Sequence, residues 1–376
     1  MKKKIAIVLL ALMLGLSGCK KAKETVGNET SKDDVIENSF SDDYYNIVSS
    51  KGSMIRERFY SNLANNQDDY KTVGRGLQLL SLDYFSNDTH YMKEGSYITT
   101  KDYQELTLRG SNYPYSLQIP EGTTIDGVET SHGGDEDATK IKTPVMFQTL
   151  YQQEYMKKNG DDFELAGISM AIVISAEYTA NLNGTKALSP TNFSQEVIEQ
   201  YSKAAIETTY RYFKDTYSEL ANIPMLISVY QMANSTDVTS GSYIYSSYCD
   251  GGVGEIKSVN QETVIFTSDS AKEVDAATYN EFVLIKEKMK NFATEAIGMV
   301  GTAKYQDNKI QGMVIELNLN TKTFSEEIAI MNYMASLINT GFTSDFFIKV
   351  NVKAQDSESG TIIKEVGQEA KSYLDY

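Results

Sequence analysis

The sequence predicts an α+β protein made of two tandem, related units, each with helices packed on a mixed or antiparallel sheet. Three observations predict it. Short segments recur in the same order along the chain, which is how a duplicated architecture shows itself. Apolar residues switch between helical spacing and short strand-like runs. With 376 residues, 41 % of them hydrophobic, the chain has the material for about two cores.

The elements follow in chain order. Lys2, Lys3 and Lys4 precede an uncharged apolar run from Ile5 to Leu16, too short for a comfortable membrane span but suited to an export signal. The run ends in Leu16-Ser17-Gly18-Cys19, an aliphatic residue and two small ones before cysteine. That is a lipobox. Residues 1–18 are expected to be removed by signal peptidase II, and the Cys19 thiol to carry diacylglycerol as a thioether. Two acyl chains hold a protein stably at a bilayer, at ~0.8 kcal/mol per buried methylene, where one chain holds it marginally. Residues 19–43 are polar and charged and read as a flexible tether. Beyond residue 19 no apolar stretch is long enough to cross a membrane.

Two units are expected after the tether, over 44–225 and 226–376. Gly95-Ser96-Tyr97-Ile98 recurs as Gly241-Ser242-Tyr243-Ile244. Ala166-Gly167-Ile168 opens an apolar strand to Ile174, as Gln311-Gly312-Met313 opens one to Leu319. Asn192-Phe193-Ser194-Gln195-Glu196 matches Thr323-Phe324-Ser325-Glu326-Glu327. Asn192 and Thr323 are expected to cap helices, with Gln195 and Glu326 reaching back three residues later. Each helix leads to a strand, Pro224–Ala233 or Phe346–Ala354, then to a Gly-led segment at Gly241 or Gly360. A second amphipathic helix is expected over 275–300, with a counterpart over 145–158.

Composition narrows function. The chain carries 51 acidic and 35 basic residues, a net −16, and losing the three signal lysines leaves −16 − 3 = −19. Such a surface repels nucleic acid, which is excluded as a partner. With Cys19 reserved for lipid, Cys249 has no intrachain disulfide partner and reads as a small buried residue. Abundant Tyr, Asn, Lys and Ile, with no Trp, suit a Gram-positive source. His90 falls in a polar loop between helix and strand. His132, in Ser131-His132-Gly133-Gly134-Asp135-Glu136-Asp137, belongs to an acidic surface loop with neither zinc spacing nor EF-hand alternation. Gly74-Arg75-Gly76 and Gly251-Gly252-Val253-Gly254 read as turns, and no nucleophile elbow is present. No cofactor, metal ligand or catalytic residue is assigned. Tyr103, Tyr113, Tyr115, Tyr151, Tyr155, Tyr243, Tyr245 and Tyr248 fit core and half-exposed sheet positions, and equally a binding face.

The segments Thr72-Val73-Gly74-Arg75-Gly76-Leu77-Gln78 through Asp83-Tyr84-Phe85-Ser86, then Glu94-Gly95-Ser96-Tyr97-Ile98, resemble the CamS family of Firmicute lipoproteins. So does Asn222-Ile223-Pro224-Met225-Leu226-Ile227 through Gly241-Ser242-Tyr243-Ile244. The resemblance implies a sex-pheromone precursor, in which the tail of the cleaved signal becomes a short apolar peptide acting on plasmid-bearing enterococci. Here that segment is Leu12-Met13-Leu14-Gly15-Leu16-Ser17-Gly18.

The expectation is thus a non-enzymatic lipoprotein on the extracellular face of the cell membrane, anchored through Cys19. Its ectodomain would bind an unidentified envelope or extracellular partner. Two alternatives stand beside it: a cell-wall-acting enzyme or accessory factor using carboxylates, and a solute-binding lipoprotein. An enzyme should show carboxylates of raised pKa clustered in a pocket, an interaction protein an exposed apolar or aromatic patch.

Overall fold

The computed structural model describes residues 34–375 apart from 41–42, 51, 64–68, 132–139, 179–180, 183–184, 187–189, 238, 294–296 and 356. The signal segment with its peptide Leu12–Gly18, the lipobox, Cys19, most of the tether and the loop 132–137 lie outside the described residues.

The strands are β1 (Val35–Ile36), β2 (Ile47–Val48), β3 (Tyr91–Glu94), β4 (Thr124–Ile125), β5 (Val128–Ser131), β6 (Ile141–Lys142), β7 (Phe147–Asn159) and β8 (Asp162–Ile174). Four short ones follow, β9 (Glu177–Tyr178), β10 (Asn181–Leu182), β11 (Thr185–Lys186) and β12 (Thr191–Asn192). Then come β13 (Met225–Gln231), β14 (Ser242–Cys249), β15 (Lys257–Ser258), β16 (Gln261–Phe266), β17 (Gly298–Gln306), β18 (Lys309–Leu319), β19 (Phe347–Ala354), β20 (Ser357–Lys364) and β21 (Lys371–Leu374). The helices among the described residues are α1 (Arg56–Asn62), α2 (Asp69–Ser81), α3 (Thr100–Thr107), α4 (Gln195–Thr216), α5 (Asp269–Val274), α6 (Ala276–Ala293) and α7 (Phe324–Gly341). The fold is α+β, as expected.

Of the two large sheets, the first runs β1-β2-β3-β7-β8-β13-β14-β15 and the second β16 to β21 in sequence order, beside the small sheets β4-β5-β6, β10-β11 and β12-β9. The repeat is real at the level of topology. In the first copy β7 and β8 are antiparallel, β8 and β13 parallel across α4, and β13 and β14 antiparallel. In the second, β17/β18, β18/β19 across α7 and β19/β20 repeat that order of senses. Even the bulges coincide. Pairing slips between Tyr155 and Met156 in one copy and between Lys304 and Tyr305 in the other, opposite Gly167 and Gly312. It slips again after Val229 and after Val352.

The copies differ in cover. Ile198, Ala205, Ile206 and Phe213 of α4 bury one face of the first sheet against Ile168, Met170, Ile172, Ile227 and Val229. Val73, Leu77 and Leu80 of α2 bury the other face against Ala171, Val173, Leu226 and Tyr230. Strands covered on both sides lose alternation, and residues 168–174 are accordingly buried without a break. In the second sheet α6 and α7 cover one face, placing Phe282, Met289, Met334 and Ile338 over Met313, Ile315, Ile348 and Val350. Its strands keep the polar-out alternation of a half-wet sheet.

Several expectations need correction. Residues 145–158 form strand β7, not a helix. Phe147, Leu150, Tyr151 and Tyr155 fall at helical spacing, but pairing with β3 and β8 on both sides overrides it. Asn192 does not cap α4. Phe193 is buried and donates its amide to the Ala176 carbonyl at 2.9 Å, holding the chain extended, and Ser194 becomes the cap. Thr323 does begin α7, and Glu326 accepts from its amide at 2.7 Å. The expected helix 275–300 is α6, whose described residues end at Ala293; Val300 lies in β17. Gly95–Ile98 is a loop between β3 and α3, whereas Gly241 leads into β14, so that tetrapeptide is not a repeat in the fold. The boundary expected at 225/226 falls inside the first sheet, because β13 pairs with β8 in register Met225 to Ile168. The sheets divide instead between Ser258 and Gln261. Val35–Ile36, expected in the tether, pair with β2.

Candidate functional site: an aromatic pocket with opposed charges

The tight contact of the Gly95 loop with β7 sets the site. A Cβ on Gly95 would lie 2.6 Å from both the Cβ and the carbonyl oxygen of Gln152, so only glycine lets the loop approach this closely. Glu154, almost fully buried, accepts from the Ser96 amide at 2.6 Å and its hydroxyl at 2.7 Å. The Gln152 carboxamide accepts from the Ile98 amide at 3.2 Å. These bonds turn Glu154 Oε1 to the loop and fix the end of β3, where Glu94 lines the pocket.

Glu94 lines a pocket of about 160 Å³ with Ser53, Ile55, Arg56, Phe59 and Tyr60 from α1 and its approach, Tyr70 from α2, Gly95 and Ile98 from the loop, and Leu150, Tyr151 and Gln152 from β7. Phe59 stacks on Tyr151 at 5.0 Å between ring centroids, and Tyr60 meets Tyr70 at 4.8 Å. Arg56 lays its guanidinium against Gly52, whose φ of +79° turns the chain there. Burial raises the Glu94 carboxyl above its ordinary pKa, Glu154 adds to the rise, and Arg56 opposes it. Burial likewise raises Glu154, against its bonds from Ser96. The Tyr151 phenol is pushed up to about 12, first by burial and then by Glu94. It is a neutral hydrogen-bonding wall.

Tyr151 also borders a second, more open hollow of about 470 Å³, with Tyr44, Lys71, Arg75, Gln78, Gln153 and Lys304 around it. Arg75 is committed there, paired with Asp43 and stacked 3.7 Å over the Tyr44 ring. Lys304 of the second sheet bonds the Thr72 hydroxyl at 3.1 Å. Among the described residues no cluster of His, Cys, Asp and Glu is placed to hold a metal ion, and no helix is long and apolar enough to cross a membrane.

Of the residues singled out in the sequence, Tyr151 lies at the site. Tyr155 and Tyr243 are core. His90 is buried just before β3, its Nδ1 3.0 Å from the Ser86 carbonyl, and burial lowers its pKa. Cys249 is sealed in β14 with its thiol pushed up by burial. Glu94 and Arg56 were not singled out for chemistry, although Glu94 stands at the head of the Glu94–Ile98 segment that carried the family resemblance.

A family model described as the CamS sex pheromone cAM373 precursor matches residues 51–370. The chain belongs to this family. The match covers strands β3 to β20 and every residue lining the pocket. Among solved structures, the sex pheromone precursor from Lactobacillus salivarius subsp. salivarius UCC118 is 19 % identical, with a TM-score of 0.76 over 91 % of this chain and 99 % of that one. The C-terminal domain of the sex pheromone staph-cAM373 precursor from Staphylococcus aureus is 16 % identical, with a TM-score of 0.64 over 83 % of this chain and 98 % of that one. At such identity these CamS structures share the fold. No curated protein matches the chain.

Proposed function

We propose that this CamS protein is an exported, lipid-anchored pheromone precursor whose ectodomain is a non-enzymatic binding module on the extracellular face of the cell membrane. The family match carries the precursor reading. The lipobox supports anchoring through diacylglycerol at Cys19 after signal peptidase II has acted, with Leu12–Gly18 proposed as the released segment. For the ectodomain the carrying observation is that Glu94 faces the pocket while Glu154 is turned to Ser96. Carboxylate hydrolysis of a glycosidic bond generally works with two carboxylates flanking the bond, and this pocket presents one. Aromatic walls with a few placed polar groups are the make-up of a small-ligand site.

The test is made in the producing strain. Labelled palmitate should enter the parent protein and not Cys19→Ser, and mass spectrometry of the medium should find a peptide ending at Gly18. Label retained by Cys19→Ser would end the anchoring reading. A medium without the peptide, under good secretion of the mature chain, would end the released-peptide reading.

A further inference from the structure

The pocket beside Gly95 holds two opposite charges that are not joined to each other. Among the described residues the side chains of Glu94 and Arg56 form no hydrogen bond or ion pair with each other, although Arg56 is near enough to pull the Glu94 carboxyl downward. A half-buried carboxylate without a partner is costly to keep. Two fully buried acids among the described residues are each held by several donors. Asp69 accepts from the Tyr230 hydroxyl and the Gly241 amide, and Asp102 from the Tyr212 and Tyr217 hydroxyls. The half-buried Glu94 carboxylate has no such bond among the described residues, and it lines a cavity.

Size and walls narrow what completes it. A cavity of roughly 150 Å³ holds a benzene-sized group, and this one measures about 160 Å³. Phe59, Tyr60, Tyr70 and Tyr151 offer ring faces and edges to such a group. A neutral sugar would stack on the same rings but would leave both charges without a counter-charge. We propose that the pocket binds a small zwitterion: an ammonium on Glu94, a carboxylate on Arg56, and one large apolar side chain among the rings. Free apolar α-amino acids and short apolar peptides both carry these groups. The inference rests on the binding-module reading above and names its ligand class.

Calorimetric titration of the mature chain, extracted in detergent, tests it with L-phenylalanine, phenethylamine, 3-phenylpropionate and N-acetylglucosamine. Phenylalanine should bind saturably, and each analogue lacking one charge should bind roughly tenfold more weakly or worse. Glu94→Gln should weaken phenylalanine and phenethylamine by a similar factor and spare 3-phenylpropionate. Arg56→Gln should do the converse. Melting curves of both variants confirm that they are folded. Equal binding of all three aromatic probes, or affinities unmoved by either variant, would overturn the proposal. Binding of N-acetylglucosamine alone, abolished by Tyr151→Ala, would overturn it and leave the binding-module reading standing; heat from none of the four would end both. A competition arm with the heptapeptide Leu-Met-Leu-Gly-Leu-Ser-Gly separates the sources: displacement of phenylalanine points to peptides, its failure to free amino acids.

Discussion

Glu94 gives a titration signature that follows from its surroundings. Its raised pKa means that the folded chain holds this proton more tightly than the unfolded chain does. The group therefore favours folding in acid, and that contribution is lost as pH rises from the ordinary value of 4.5 through the folded one. Glu94→Gln keeps the shape without the charge. It should melt higher than the parent at about pH 7 and converge with it at about pH 3.5, read by calorimetry in matched buffers; a gap equal at both would show that charge burial is not the cause. Asp102 runs the other way. Burial pushes its pKa up, but bonds from Thr99, Tyr212 and Tyr217 together bring it below the usual value, so its contribution is lost on acidification. Little of this was legible in the sequence. His90 and Cys249, of the residue types most often used in chemistry, are sealed by packing. Glu94 and Arg56 come from separate elements, β3 and α1, and line one pocket only once the chain has folded.

Helix α4 shows how a single cap is chosen. Asn192 and Ser194 are both good cap residues, and the local pattern does not decide between them. The buried ring of Phe193 decides, because it keeps the chain extended until Ser194, whose hydroxyl accepts from the Val197 amide at 3.4 Å. Ser194→Ala should cost about 1 kcal/mol and Asn192→Ala only a few tenths. Urea unfolding of the two variants compares them directly; equal losses would return the cap to Asn192. The same local blindness accounts for β7. Its Tyr and Gln residues fall at helical spacing, and its strand state comes from β3 and β8, which no window around residue 150 contains. Strands β8, β13, β18 and β19 and helices α4 and α7 were legible because their own apolar pattern agrees with their final partners.

Across the whole molecule the coincident bulges make the two copies comparable residue by residue. Met225 pairs with Ile168 as Ile348 pairs with Met313, so Leu226 and Lys349 occupy equivalent places. Leu226 lies fully buried beneath α2, whereas Lys349 stands on the open face of the second sheet. Leu226→Lys should cost about 4 kcal/mol or more, and Lys349→Leu should move stability by no more than about 0.5 kcal/mol. Denaturant midpoints decide it, and comparable losses would mean that the second sheet's outer face is covered too. The duplication was visible in the sequence, but its boundary was not, since the signal that a strand belongs to one sheet lies in its pairing and not in its composition.

That boundary consists of Val259 and Asn260. The Val259 amide is bonded to the Ile244 carbonyl, and the Asn260 carbonyl takes the Asp307 amide, each at 2.8 Å. Two residues reach about 7 Å at full stretch, and both are already clamped, one to each sheet. The joint is therefore a weld. A tug on the chain at one sheet is delivered to the other as torque, without slack to absorb it, and the two halves turn together.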